Sequence, residues 1–268
     1  MDLPGLEDQD FLVIRQLMSR ISGINIAPHK RQLVEGRLMK RLRELSCDTF
    51  SEYVQLLQAP TQEEERRLAV DLLTTNETFF FREEGHFHYL RRWMEGHQGL
   101  PLRIWSAACS SGEEIFSLAM LLQEVRPAGG WELMGSDLCR HVLAKAQQGI
   151  YPLSRAKGIP EEWLKRYCLK GVGQHDGYLQ VASSLRSRVQ FRCINLNEPL
   201  PQEMGMFDVI FLRNILIYFD MPAKQAILTR IAHHLKPNGL LFIGHSESLQ
   251  GLSLPFVACD SAVYCRSP

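Results

Sequence analysis

Paired cysteine motifs and zinc-type spacings are missing from this sequence. Its seven cysteines form no CxxC pair, and a chain of 268 residues can bury a core without disulfide staples. We therefore expect reduced, mostly buried thiols. His86 with His88, and His233 with His234, have no matching second pair at short spacing, so no metal site is predicted.

The sequence also has no excess of acidic or basic residues and no long apolar run. Basic and acidic residues number 30 each, so no net field draws the chain to nucleic acid or to an anionic membrane. The most apolar stretch, FDVIFLRNILIYF, contains Arg213 and Asn214 and is shorter than the roughly 20 residues that span a bilayer. The opening MDLPGLEDQDF is acidic and lacks the apolar segment of a secretory signal. We expect a cytoplasmic protein with no nucleic-acid partner and no membrane insertion.

The first quarter of the sequence has a helical pattern. From residue 8 to about 72, apolar residues recur at helical spacing without strand-like alternation, which predicts a helical domain over residues 1–75. Thr61 is predicted to cap a helix, because Glu64 follows it at the spacing of a capping box.

A basic face marks the second predicted helix of this domain, which runs from near Pro28 to about Leu45. For charge runs, a solvated face is the default interpretation. The residues on this face are Lys30, Arg37, Lys40 and Arg41.

After about residue 100, short apolar runs alternate with helical stretches, which predicts an α/β domain with a mostly parallel sheet. The predicted strands are LRIWSAA, WELMGSDL, VQFRCINL, FDVIFL and GLLFIGH. The predicted helices are Glu113 to Val125, Arg140 to Gln148 and Pro222 to Leu235. PFVACDSAVYCRS predicts a closing hairpin at the sheet edge. Residues 150–188 interrupt the alternation and predict an inserted subdomain of small antiparallel strands.

The loop after the first predicted strand, SAACSSGEE, consists of small residues at the start of a helix. Ligands of open α/β sheets bind beyond the carboxyl ends of the strands. This loop has neither the GxGxxG spacing nor the GKS or GKT of a phosphate-binding loop. Glu113 and Glu114 would repel phosphate and favour a cation or ribose hydroxyls. Ser111 and Glu114 also have capping-box spacing, and both roles can coexist.

Polar residues follow the next three strands. Asp137 stands where an acidic residue usually binds ribose hydroxyls, although it could instead cap a helix that begins at Leu138. Asn195 could read an adenine edge through its amide, or serve as an ordinary turn residue. Arg213, followed by Asn214, has an apolar surround and therefore needs an anionic or hydrogen-bonding partner.

Six strings carry a resemblance to a known family: TTNETFFFRE, SAACSSGEE, GSDL, INL, LRNILIYF and FIGHSE. In order and approximate spacing, the sequence resembles the chemotaxis receptor methyltransferase (CheR) family over nearly its whole length. The likeness includes the basic helix HKRQLVEGRLMKRL and the inserted segment LKGVGQHDGYLQV. Ile115 and Phe116 depart from the Pro and Tyr that the family often has there. The resemblance implies a Rossmann-like methyltransferase sheet with a helical N-terminal domain.

The resemblance also implies S-adenosylmethionine as cofactor, with S-adenosylhomocysteine as product, and roles for single residues. It implies that residues 76–99 connect the helical domain to a cofactor-binding domain over residues 100–268 and contribute to the active site. The plainer alternative for this segment is a domain linker whose Phe79, Phe80 and Phe81 pack at the interface. The cofactor-binding residues implied are Asn76, Thr78, Arg82, Glu114, Asp137, Asn195, Leu196, Arg213 and Asn214. Tyr218 is implied near the transferred methyl, with Arg82 orienting the methyl acceptor.

The implied reaction is esterification of glutamate side chains on the cytoplasmic domain of methyl-accepting chemoreceptors. A glutamate carboxylate, with a reference pKa of about 4.3, is already ionised and needs no general base. The basic face would dock a glutamate-rich helical partner, and the inserted subdomain would bind a receptor C-terminal peptide by strand addition. A small-molecule or RNA methyltransferase and a non-catalytic S-adenosylmethionine-binding regulatory module remain alternatives, although RNA binding normally brings more basic surface.

Overall fold

The computed structural model describes residues 5–97, 99 and 101–267, so the first four residues of the acidic opening stretch lie outside it. The chain forms two compact units. A helical unit comprises Met1–Thr75 and Tyr218–Ala223, and an α/β unit comprises Asn76–Ile217 and Lys224–Pro268.

The described residues form ten α-helices and ten strands. The helices are α1 (Asp8–Ser22), α2 (Arg31–Glu44), α3 (Phe50–Gln58), α4 (Glu63–Leu73), α5 (Glu84–Glu95), α6 (Glu113–Val125), α7 (Arg140–Gln148), α8 (Glu161–Tyr167), α9 (Ser183–Arg186) and α10 (Met221–His234). The strands are β1 (Leu102–Ser106), β2 (Trp131–Asp137), β3 (Ile150–Pro152), β4 (Cys168–Lys170), β5 (Tyr178–Val181), β6 (Val189–Cys193), β7 (Phe207–Leu212), β8 (Leu235–Ile243), β9 (Phe256–Asp260) and β10 (Val263–Arg266).

Each helix of the helical unit buries one apolar stripe against the others. Residues buried in this way include Phe11, Ile14, Met18, Val34, Leu38, Leu42, Tyr53, Leu57 and Val70. The side chain of Thr49 caps α3 by accepting the N–H of Glu52. The predicted cap at Thr61 is wrong, because α4 begins at Glu63 and its N-cap residue is Gln62, whose side chain makes no capping bond.

Two of the four predicted docking cations have partners on other segments of the helical unit, and Lys40 lies 3.7 Å from Glu44 on its own helix. The Arg41 guanidinium lies 2.6 Å from a carboxylate oxygen of the buried Glu65. Arg37 donates to the carbonyl oxygens of Leu73 at 2.7 Å and Thr74 at 3.0 Å. The other two cations, Lys30 and Lys40, are exposed. The basic face is therefore partly structural.

The α/β unit contains a seven-stranded sheet of order β6-β2-β1-β7-β8-β10-β9. The first five strands in this order are parallel, and β10 pairs antiparallel with β8 and β9. The central strand β7, FDVIFL, is apolar almost throughout because helices cover both faces of a parallel sheet. The predicted Rossmann-like sheet and its closing hairpin are confirmed.

The predicted helices match closely: α6 and α7 have the expected bounds, and α10 begins and ends one residue earlier than expected. The predicted inserted subdomain is present as a three-stranded antiparallel sheet of order β3-β5-β4. Its helix α8 follows Pro160. Within the described residues, no helix is both long and apolar enough to cross a bilayer.

The cysteine expectation is wrong in two respects. A disulfide joins Cys259 and Cys265, whose Cα atoms lie 6.1 Å apart because β9 and β10 are neighbouring strands. The five remaining cysteines are not mostly buried, since only Cys109 and Cys139 are buried and Cys193 is exposed.

Candidate functional site

A loop between β1 and α6 lies at the carboxyl edge of the sheet. Its Gly112 has φ of 98°, and a Cβ there would approach the Ala146 Cβ and the Tyr151 hydroxyl to 2.8 Å. Glycine is therefore required by both conformation and space. The N–H of Cys109 donates to the carbonyl of Ser136 at 2.9 Å, which fixes the loop against β2.

Asp137, at the end of β2, holds the same loop. One carboxylate oxygen accepts the N–H of Ser110 at 2.9 Å, and the other accepts the N–H of Cys139 at 3.0 Å. The alternative role as a helix cap is wrong, because α7 begins at Arg140 with Cys139 as its N-cap residue. A carboxylate has about four acceptor positions, so a ribose hydroxyl is compatible with these two bonds.

Glu114 does not form the capping box that its spacing suggested. The N-cap residue of α6 is Gly112, and the Ser111 hydroxyl donates instead to Glu113 at 2.6 Å. One Glu114 oxygen accepts the Ser106 hydroxyl at 2.7 Å and the other accepts Arg213 at 2.9 Å. Glu114 therefore joins the ends of β1 and β7.

Arg213 has the anionic partners that its apolar surround predicted. Its side chain is 1% exposed and lies 2.9 Å from carboxylate oxygens of both Glu83 and Glu114. The guanidinium also donates to the backbone carbonyl of Arg82. Burial alone would raise the pKa of Glu83, but its bonds with Arg213, Asn214 and the backbone of His245 together lower that pKa to about 2. Glu83 is therefore ionised at neutral pH.

Sequence reasoning missed Glu83. It stands in the string TTNETFFFRE, where Arg82 drew attention instead. Its second oxygen accepts the Asn214 amide at 3.2 Å. Both Glu83 and Asn214 have φ near 60°, a conformation that few residues other than glycine adopt. An acidic residue next to a predicted functional arginine was the available signal.

Glu247, in the string FIGHSE, was also missed. Its carboxylate accepts the backbone N–H groups of Gly244 and Leu216 at 2.6 Å and of Asn214 at 2.9 Å. Burial raises the pKa of Glu247, and these backbone bonds oppose that rise. The residue fixes the loop that follows β7.

Asn195 has the turn role that was its plainer interpretation. Its amide oxygen accepts the N–H of Asn197 and its amide nitrogen donates to Glu198, both at 3.0 Å. The carbonyl of the next residue, Leu196, accepts Arg230 at 2.6 Å. The adenine contact predicted for Asn195 stays a prediction.

The segment from Asn76 to Arg82 contacts the loop after β1. The Ser110 hydroxyl donates to the carbonyl of Asn76 at 3.1 Å. The carbonyl of Thr78 accepts Arg155 at 3.2 Å. Asn76 is thus in contact with the small-residue loop, and the cofactor contacts implied for Asn76 and Thr78 stay predictions.

Arg82 folds back onto its own segment. Its guanidinium donates to the carbonyl of Glu77 at 3.0 Å and lies 5.8 Å from the centre of the Phe79 ring. Phe79 is 52% exposed, whereas Phe80 is fully buried, so the three phenylalanines do not all act as packing residues. Tyr218 belongs to the helical unit, where its carbonyl accepts the N–H of Asn25 at 2.9 Å.

Two histidines lie beside Glu83. His86 is 2% exposed, and its ring centroid lies 4.6 Å from that of His245. Burial and the charge of Arg213 lower the pKa of His86 to about 4. The Ser261 backbone opposes this lowering of the His86 pKa, although neither ring nitrogen has a hydrogen-bond partner.

Family comparisons match the chain along most of its length. A family model described as CheR methyltransferase, SAM binding domain, matches residues 76–265. A second, described as CheR methyltransferase, all-alpha domain, matches residues 9–74.

Curated relatives match over similar spans. The chemotaxis protein methyltransferase of Salmonella typhimurium is 41% identical over 265 residues, covering 98% of this chain and 92% of that protein. The protein of the same name from Escherichia coli is 40% identical with the same coverage. Chemotaxis protein methyltransferase 2 of Pseudomonas aeruginosa is 43% identical, covering 90% of this chain and 86% of that protein.

Proposed function

The chain belongs to the CheR methyltransferase family, and from that premise we propose that it transfers a methyl group from S-adenosylmethionine to glutamate side chains of chemoreceptors. The resemblance predicted from the sequence is confirmed. The observation that carries the proposal is the loop between β1 and α6, which Asp137 and Glu114 hold at the carboxyl edge of the sheet. This loop lies inside the segment that matches the SAM binding domain.

The residues at this edge fit S-adenosylmethionine by their chemistry. Glu113 and Glu114 stand in the first turn of α6, where a phosphate would otherwise be favoured. Both carboxylates pair with arginines, Glu113 with Arg155 at 2.7 Å and Glu114 with Arg213 at 2.9 Å, so they shape this edge of the sheet rather than attract the cofactor as free anions. We propose that Asp137 binds the ribose and that Asn76, Thr78, Asn195, Leu196 and Asn214 complete the pocket. Arg213 and Glu114 would act mainly by holding the strand ends together, because they pair with each other.

The cofactor supplies an electrophilic methyl group. The acceptor carboxylate is ionised at neutral pH, so the protein needs to position it and exclude water rather than remove a proton. We propose that Arg82 orients the carboxylate by exchanging its bond to the Glu77 carbonyl for one to the substrate, and that Tyr218 assists by a hydrogen bond. Too strong an ion pair would reduce the nucleophilicity of the carboxylate, so the contribution of Arg82 is geometric.

The partner we propose is the cytoplasmic domain of a methyl-accepting chemoreceptor. The exposed cations Lys30 and Lys40 would contact its glutamate-rich helices. A receptor C-terminal peptide would add as a strand to β4, an edge strand beside which Leu169 is 60% and Val172 78% exposed. Replacing Leu169 by Lys should weaken binding of such a peptide in a calorimetric titration, whereas replacing Val257 at the edge of the other sheet should not.

The function is tested with radiolabelled S-adenosylmethionine and receptor-containing membranes. A carboxyl ester predicts label that mild base releases as methanol. Label that resists base would indicate methylation at nitrogen, and label in small molecules or RNA would favour the alternative substrates. Tight binding of S-adenosylhomocysteine with no label transferred would favour a regulatory module. An Asp137→Ala variant is the control, because it should lose both binding and transfer.

A further inference from the structure

A cluster of three ligating side chains lies next to Arg213 in the α/β unit. One donor atom each of Glu83, His86 and His245 lies within 4.8 Å of the other two. The Nδ1 atom of His86 is 3.5 Å from a carboxylate oxygen of Glu83. No other group of His, Cys, Asp or Glu in the described part of the chain is arranged in this way.

His86 is the residue that indicates a missing ligand. Its side chain is 98% buried, yet neither ring nitrogen has a hydrogen-bond partner. Buried polar atoms without partners cost free energy and are uncommon in folded proteins. A metal ion bound to a ring nitrogen would satisfy that nitrogen.

The donor set suits a divalent transition metal. Two imidazoles and one carboxylate are ligands of zinc and related ions. With metal–ligand distances of roughly 2.0–2.1 Å, tetrahedral donors lie about 3.4 Å apart. The 3.5 Å between His86 and Glu83 is close to that value. His245 is exposed, so its side chain can rotate to close the remaining gap and also leaves a path for the ion to enter.

The local charge tolerates a cation despite the nearby guanidinium. Glu83 and Glu114 carry two negative charges against the single positive charge of Arg213, which leaves a net charge of −1. Arg213 also has two further acceptors, Glu114 and the carbonyl of Arg82. It therefore stays partnered when Glu83 binds a metal.

We infer that Glu83, His86 and His245 form a binding site for a divalent transition metal of the zinc type, with remaining coordination positions open to solvent. Metal binding draws Glu83 away from Arg213 and loosens the loop that contains Asn214. Weaker cofactor binding in the presence of the metal follows if the proposed function is right, whereas the metal site itself does not depend on it.

The test uses the full chain and Co²⁺, whose visible absorption reports the number and type of its ligands. We expect the protein to bind one equivalent of Co²⁺. The bound ion should show the intense visible bands of cobalt with four or five nitrogen and oxygen ligands, and added Zn²⁺ should displace it. His245→Ala should weaken binding by roughly 10- to 100-fold, the range seen when metal-site residues are lost. The matched control is His88→Ala, because exposed His88 also lies near a glutamate, Glu84, at 3.4 Å on the same helix.

Three results would overturn the inference. One is equal Co²⁺ affinity in the wild type and His245→Ala. Another is loss of binding in His88→Ala, which would place the ion on the helix surface. The third is a sulfur charge-transfer band, which would indicate cysteine ligands instead. A variant Glu83→Gln, checked for folding by circular dichroism, provides a second ligand deletion and should also lose the Co²⁺ bands.

Discussion

The carboxylate of Glu247 accepts the backbone N–H of Leu216 at 2.6 Å. Glu247 follows β8 in the chain, so this bond ties the loop after β7 to the loop after β8. In Glu247→Gln, the side-chain NH₂ group takes the place of one carboxylate oxygen and faces backbone N–H groups. Both groups are hydrogen-bond donors, so they repel each other. We expect the free energy of unfolding to fall by about 2 kcal/mol, because buried N–H groups lose their acceptor. S-adenosylhomocysteine should bind at least about tenfold more weakly, since 1.4 kcal/mol corresponds to a factor of ten.

Denaturant unfolding and calorimetry measure these two effects of Glu247→Gln. The control is Glu161→Gln, which removes an exposed carboxylate that forms an ion pair with Lys165 on the surface of α8. It should change neither quantity. Wild-type binding by Glu247→Gln would show that the loop is held without this carboxylate.

Arg213→Met should be among the most destabilising single changes. It leaves two carboxylates, Glu83 and Glu114, without their buried cation. Breaking a buried ion pair in this way costs about 3–5 kcal/mol. Glu114→Gln should cost less, because the amide oxygen can still accept the Ser106 hydroxyl. Chemical denaturation ranks the two variants, and equal stabilities would contradict the central role of Arg213.

Most of the fold could be predicted from the sequence because its signals are local. The apolar runs of β1, β2 and β7 alternate with helical periodicity, and the bounds of α6 follow from two glutamates after glycine. The charge network could not be predicted, because Glu83 and Arg213 are 130 residues apart and meet only once the strands are ordered. A similarly long separation in sequence hides the contact of His86 with His245. Capping predictions failed at Thr61 and Glu114 because tertiary partners and backbone conformation outweigh local spacing.

The exposed part of the basic face gives a clean test of substrate docking. Lys30→Glu with Lys40→Glu should raise the apparent KM for receptor and leave kcat unchanged, because the charges steer association. Arg37 and Arg41 are unsuitable for this charge reversal, because Arg37 donates to backbone carbonyls and Arg41 pairs with Glu65 inside the helical unit. Lys145→Glu, on the exposed side of α7 in the α/β unit, is the matched charge reversal. An unchanged KM at low salt would mean that the face is only solvated.

Glu65 should make the stability of the helical unit depend on pH. Burial alone would raise its pKa, but bonds from Arg41 and Tyr53 lower it overall below the ordinary value of 4.5. A carboxyl with a lowered folded pKa stabilises the protein above about pH 4.5, and that contribution is lost as the pH falls through the folded pKa. Glu65→Gln should flatten this dependence in denaturation curves between pH 7 and pH 3. The neighbouring, exposed Glu64→Gln should not.

Arg82 is expected to act on the substrate more than on the cofactor. Arg82→Ala should reduce methyl transfer by at least about 100-fold, since misplacing reacting groups by an ångström can cost that much. S-adenosylhomocysteine affinity should change little in calorimetry. Arg82→Lys, which keeps the charge but not the planar guanidinium, should recover only part of the activity. Near-normal turnover by Arg82→Ala would remove this residue from the mechanism.

The most direct test is the mass spectrum of a chemoreceptor cytoplasmic fragment after incubation with the protein and S-adenosylmethionine. We predict that glutamate-bearing peptides gain the mass of a methyl group in place of a proton, and that mild base reverses the gain. Arg82→Ala should leave these peptides unmodified. A base-stable gain on lysine or arginine, or no gain on receptor with the wild-type protein, would contradict glutamate esterification.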